Sequence, residues 1–232
     1  MSDQPLVTAI VPFRNSRDTM ERAFRALAAS RYPNLEILLI DDVSTDGSGE
    51  IAARYPWRLL HMSRHGGCGG ARNVAVREAK GEFLFFTDAD VIIFPDTISR
   101  MVGHLVENPD VDAAIGSYTR SSGPRNFFSV YKNLLHHFTH QVAGPRGQTF
   151  WGACGILRRD AFYRVGGFTE EQLFVTDIDF GYRLVMSGGR ILIDPTVQVI
   201  HLKHYTFRCS GACAAGRSDG GGWCASRESP AP

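Results

Sequence analysis

Four short, largely apolar segments, residues 6–13, 36–40, 57–62 and 82–87, alternate with stretches of helical character along the first 90 residues. A strand that is apolar along its whole length must be covered on both faces. Strands of that kind joined by helices specify an α/β fold with a mostly parallel central sheet. The first intervening helix places Met20, Phe24, Leu27 and Ala28 on one face, and Ser16 stands where its N-cap belongs. Pro33-Asn34 ends it. Further helices are expected over 49–55 and, after a glycine turn at 66–70, over 71–80. Open sheets of this type bind ligands beyond the carboxyl ends of their strands. Three of the four segments end there in polar clusters: Arg14-Asn15, Asp41-Asp42 and Asp88-Ala89-Asp90. All three clusters are therefore expected to open onto one crevice.

The second half is less regular. Helices are expected over 96–105, 127–140, 159–165 and 177–187, and strands over 111–117 and 148–157. Residues 190–202 read as strand, turn, strand, and the helix at 127–140 carries His136, His137 and His140. Net charge is +1, from 25 basic and 24 acidic residues, so nothing supports general nucleic-acid binding and any anion site must be local. The first residues carry no apolar leader segment, so no secretory signal is expected, and no apolar run approaches the roughly 18 residues of a membrane span. The five cysteines show no zinc-ligand spacing, and a reducing cytoplasm is the expected compartment.

An Asp-x-Asp pair occurs three times, at Asp88/Asp90, Asp110/Asp112 and Asp177/Asp179, and context separates the three. Only Asp88/Asp90 lies between two apolar runs, 83–86 and 91–94. Two carboxylates there repel and are costly to desolvate unless a cation sits between them. A hard divalent ion completed by phosphate oxygens meets that demand, and a solvated turn is the alternative. The glycine-rich 66–70 segment fails the dinucleotide-loop spacing, because Arg72 stands at the third glycine position. A glycine turn feeding a helix N-terminus still suits a phosphate or nucleotide edge, with Arg72 supplying charge. Asp177 and Asp179 point to different sides of a helix start and should not share one role. A carboxylate in that position suits a general base, or simply an N-cap.

The series Pro12-x-Arg14-Asn15, Asp41-Asp42-x-Ser44-x-Asp46-Gly47-Ser48, Gly70-Ala71-Arg72-Asn73, Asp88-Ala89-Asp90, Gly166-Gly167-Phe168 and Thr176-Asp177 resembles the family 2 glycosyltransferases. The resemblance covers about residues 7–207. It implies a single Rossmann-like domain of GT-A type over 1–207, and an inverting enzyme that uses a nucleotide-sugar donor and Mn2+ or Mg2+. By position, Asp42 resembles the residue that hydrogen-bonds a uracil-type base, and Arg14 stands where relatives carry a base-stacking tyrosine. Pro12, Asn15, Gly70 and Arg72 fall on the donor side. Asp90 resembles the main metal ligand, Asp88 a ribose or metal contact, and His201 the histidine that reaches metal or diphosphate. Asp177 resembles the catalytic base, while Thr176 replaces a glutamate. The acceptor is left open among saccharides, lipid-linked saccharides and lipids, in cell-surface polysaccharide or glycolipid synthesis. Cytoplasmic placement with peripheral association at the inner membrane face is compatible with that. A sugar-nucleotide pyrophosphorylase would need a glycine-rich loop after the first strand, which residues 12–20 lack. A nucleotide-sugar-binding remnant is a further alternative. Residues 208–232 hold three of the five cysteines and little apolar periodicity, and are expected to lie outside the catalytic core as a disordered or aberrant tail.

Overall fold

The computed structural model describes residues 4–170 and 175–205. In chain order these form β1 (Val7–Phe13), α1 (Arg17–Ala28), β2 (Leu35–Asp41), α2 (Ser48–Ala52), β3 (Arg58–His61), α3 (Gly67–Glu78), β4 (Phe83–Thr87) and β5 (Val91–Ile92). Then come α4 (Thr97–Glu107), β6 (Ala113–Tyr118), α5 (Phe127–Val142), β7 (Arg146–Gly147), β8 (Cys154–Arg158), α6 (Arg159–Arg164), α7 (Thr176–Met186) and β9 (Ile191–His201). The strands make one sheet of order β3-β2-β1-β4-β8-β6-β9-β5, with β7 pairing β9 off this path. The first four strands are mutually parallel, as their apolar character requires. The parallel order stops there: β8 runs antiparallel to both β4 and β6. Parallel pairing resumes between β6 and β9.

Alternation along each strand divides the core into two. Val11, Leu39 and Phe85 face a layer containing Met20 and Phe24 of α1 and Ile98 and Met101 of α4. Ile10, Leu38, Ile40, Leu84 and Phe86 face Ala71, Ala75 and Val76 of α3, Phe162 of α6 and Phe180 of α7. Helices thus cover both faces, and truncating any of these buried phenylalanines to alanine should cost about 3–5 kcal/mol.

Several local expectations change. Ala23, not Ala28, completes the buried face of α1. Ser16 occupies the N-cap position without capping through its side chain. Asp46 instead reaches across from the next loop, and its Oδ2 accepts the Arg17 amide at 3.1 Å. The glycines do not form a turn before α3 but make its first turn, which starts at Gly67. The strand expected over 148–157 is confined to Cys154–Arg158. Residues 190–202 form one strand instead of two. Between Ile115 and Ser117 of β6 the partner β9 advances from Ile193 to Gln198, so the expected turn is absorbed as a bulge around Pro195. The expected tail at 208–232 lies outside the described residues.

Candidate functional site

The carboxyl ends of β1 and β4, the end of β9 and the start of α7 enclose a crevice of about 790 Å3. Pro12, Arg14, Asn15, Asp88, Asp90, Asp177 and His201 all line it. Parallel pairing aligns the ends of β1 and β4. The pairing of Val91 with His201 and the 2.7 Å bond from the Leu202 amide to the Asp90 carbonyl bring the histidine over from the far end of the chain. His201 Nε2 lies 3.5 Å from Asp90 Oδ2, and the imidazole stacks on Tyr118 at 4.5 Å.

Three carboxylates share this space. Burial, with Asp90 and Asp177 nearby, pushes the Asp88 carboxyl above its ordinary range, against the pull of Arg72. Burial also acts on Asp90, but the charge and hydrogen bond of His201, helped by Lys203, outweigh it and hold that carboxyl low. Asp177 sits in the first turn of α7, where its Oδ1 accepts the Ile178 amide at 3.1 Å and Oδ2 faces the Gly152 amide at 3.4 Å. Asp179 points elsewhere. It accepts Thr169 Oγ1 at 2.6 Å and Arg183 Nε at 2.9 Å, and these bonds hold its carboxyl below the ordinary range. Arg183 in turn ties the carbonyl of Gly167 at 2.7 Å, so Asp179 anchors α7 to the 166–169 turn.

Three expected donor residues lie away from the crevice lining. Asp42 is fully buried, and its two oxygens accept the amides of Gly66 and Gly67 at 2.9 and 3.0 Å, with His65 Nδ1 at 2.7 Å. It holds the N-terminus of α3. Arg72 is 3% exposed and donates to Asp88 Oδ1 at 2.9 Å. Gly152 lies flat on its guanidinium, where any Cβ would collide. Arg72 therefore fixes Asp88 from beneath. Gly70 lines a separate hollow with His65, Gly66 and Glu170. Asn15 lines the crevice and also joins two loops: its Oδ1 accepts the Thr45 amide at 2.8 Å and its own amide meets Ser44 Oγ at 3.1 Å. Asn15, Val43 and Val175 all have positive φ, an uncommon state for non-glycine residues that recurs at strained functional loops.

Tyr118, His136, Trp151 and Lys203 also line the crevice, and the sequence reading assigned them no role. Trp151 packs edge-on against Tyr118 at 4.5 Å and against His140 at 4.8 Å. Burial, then the neighbouring His136 and His137, lowers the His140 imidazole to about 4. Trp151 falls in the segment expected as a strand over 148–157, and His136 in the three-histidine helix, so only His136 carried some signal. Tyr118 carried none, because only the β6–β9 pairing sets it beside His201.

Among the described residues no group of three or more His, Cys, Asp or Glu side chains is placed to hold a metal ion by itself. Asp88 is committed on one oxygen to Arg72, which leaves Asp90 and the outer side of Asp88 as donors. Such a pair fits a divalent cation that takes its remaining ligands from a diphosphate and water.

The sequence model of glycosyl transferase family 2 matches residues 8–166. The succinoglycan biosynthesis protein ExoO of Rhizobium meliloti is 35% identical over 216 residues, covering 85% of this chain and 60% of its own. The mannosyltransferase PcManGT of Pyrobaculum calidifontis, solved with GDP-Man and Mn2+, superposes with a TM-score of 0.70 at 27% identity, over 89% of this chain and 59% of that one. S. aureus TarS 1-349 with UDP-GlcNAc shares the fold, with a TM-score of 0.69 at 22% identity over 89% of this chain and 61% of that one. The chain thus spans less than two thirds of each of these relatives.

Proposed function

The chain belongs to glycosyl transferase family 2, and from that membership we propose that it passes a sugar from a nucleoside diphosphate donor to an acceptor hydroxyl, with inversion. The observation that carries this reading is the placement of Asp88, Asp90 and Asp177 around one crevice, close enough that both neighbours raise the proton affinity of Asp88. Asp90 and Asp88 would hold a divalent cation, which offsets charge on the leaving diphosphate. Asp177 accepts the proton of the acceptor hydroxyl. The hydroxyl oxygen then bonds to the anomeric carbon as the bond to the diphosphate breaks on the opposite face. Lys203 lines the same space and adds positive charge beside the carboxylates. Arg14 provides a guanidinium plane on which a nucleobase can stack. A uridine-type base is the reading carried by the resemblance. Asp42 serves it indirectly, by holding residues 65–67 in place, because its oxygens are already engaged.

Titration calorimetry with UDP, and with GDP in parallel, tests the core of this proposal. Binding should require Mn2+ or Mg2+, and Asp90→Asn should lose the metal-dependent part while remaining folded. Unchanged affinity in EDTA would overturn the metal assignment. Release of nucleoside diphosphate in the presence of an acceptor panel separates a working transferase from a donor-binding remnant.

A further inference from the structure

Helix α5 turns its polar side inward and its apolar side to solvent. Ser129 and Asn133 are its buried residues. Asn133 Nδ2 donates to the Thr119 carbonyl at 2.8 Å, Ser129 Oγ accepts the Tyr205 amide at 2.9 Å, and His137 Nδ1 meets the Tyr118 carbonyl at 2.7 Å. The helix is therefore docked by hydrogen bonds. Phe127 (75% exposed), Tyr131 (55%), Phe138 (63%) and Val142 (62%) follow one another at helical spacing along the outer face, with Leu134 and Leu135 between them. A contiguous exposed apolar face of this kind marks an interaction surface.

Charge indicates what covers it. Residues 113–159 contain six Lys or Arg and no Asp or Glu, in a chain whose totals are 25 and 24. Arg158 and Arg159 of that set turn to backbone carbonyls of the body. Arg120, Arg125 and Arg146 are exposed and Lys132 half-buried around α5, and none forms an ion pair among the described residues. Two copies meeting through this face would oppose like charges, whereas an anionic lipid surface complements both the apolar stripe and its basic flanks. A second helix repeats the pattern: Ile178, Tyr182 and Met186 of α7 are 49%, 58% and 68% exposed at helical spacing. Both helices also supply crevice residues, His136 from α5 and Asp177 from α7.

We propose that α5 docks this protein on an anionic bilayer surface, with its apolar face in the headgroup region. The crevice that α5 borders then opens at the membrane, and, resting on the transferase reading, the acceptor it meets there is borne on a lipid. Docking itself does not depend on transfer, so the two can fail separately.

Co-sedimentation of the full chain with vesicles decides it. The protein should bind phosphatidylcholine vesicles containing phosphatidylglycerol, bind pure phosphatidylcholine weakly, and be released by added salt. The double variant Phe127→Asp, Phe138→Asp should lose affinity at least about tenfold, since each phenylalanine buried in the interface contributes strongly. Its circular dichroism and nucleotide affinity should match those of the parent, which separates lost docking from lost folding. Arg125→Gln with Lys132→Gln should weaken binding to the anionic vesicles alone. Absence of vesicle binding, binding unchanged by the phenylalanine variant, or a concentration-dependent dimer abolished by that variant would each overturn the proposal.

Discussion

Asp177 and Asp179 are two positions apart in one helical turn, yet their surroundings assign them different work. Asp177 faces the crevice beside Asp88, while Asp179 is spent on Thr169 and Arg183. Asp177→Asn should cut transfer by roughly 10²–10⁴-fold, the range for losing a positioned base, and leave donor affinity intact. Asp179→Asn should keep turnover per folded molecule and lose about 1–2 kcal/mol of stability in urea unfolding. Reversed phenotypes would exchange the roles. The Asp179 carboxyl is held below its ordinary 3.8, so its contribution is present above that pH and fades as the pH falls through the lowered value. The stability gap between wild type and Asp179→Asn should therefore close in strong acid. Asp88 and Asp90 were legible in the sequence because carboxylates between apolar runs are conspicuous, and Asp177 and Asp179 because their spacing at a helix start separates them. The burial of Asp42 and Arg72 was not, because a local pattern does not reveal which partner a charged side chain will find.

Helix α7 carries the proposed base, and its position depends on a single absent side chain. A Cβ on Gly181 would run into the Phe150 amide and the Thr149 backbone. Alanine in a helix interior normally gains about 1 kcal/mol over glycine. Here the collision reverses the sign, because backbone cannot give way as a flexible side chain can. Gly181→Ala should destabilise the protein by about 2 kcal/mol or more, lower the thermal midpoint and reduce transfer further than donor binding, since Asp177 moves with the helix. A stability equal to or above wild type would contradict that packing. Element existence was legible where apolar periodicity was continuous, as in β1, α1, β2 and β4. It was less so where tertiary pairing overrides local signals: β9 absorbs the turn around Pro195 because β6 pairs with it on both sides of the bulge.

The crevice draws on β1, β4, β9 and α7, all joined directly or through packing to one sheet. A ligand held there should stabilise the whole molecule. Nucleoside diphosphate with Mn2+ at about 100 times its Kd should add roughly 2.7 kcal/mol, or about 5–10 °C in thermal midpoint for a chain of this size. EDTA should abolish that shift, and a shift that survives chelation would argue against a metal-dependent site. The sequence by itself determined the α/β class, the parallel order of the first four strands, and the convergence of the polar clusters that end β1 and β4. Those features follow from hydrophobic period and strand direction, which are local. Tertiary structure alone decided that β8 enters antiparallel beside β4, that His201 reaches Asp90 from 111 residues away, that Arg72 holds Asp88 from beneath and that Asp42 is spent on the start of α3. Those depend on strand order and burial, and the partners that fix them are far apart in the chain.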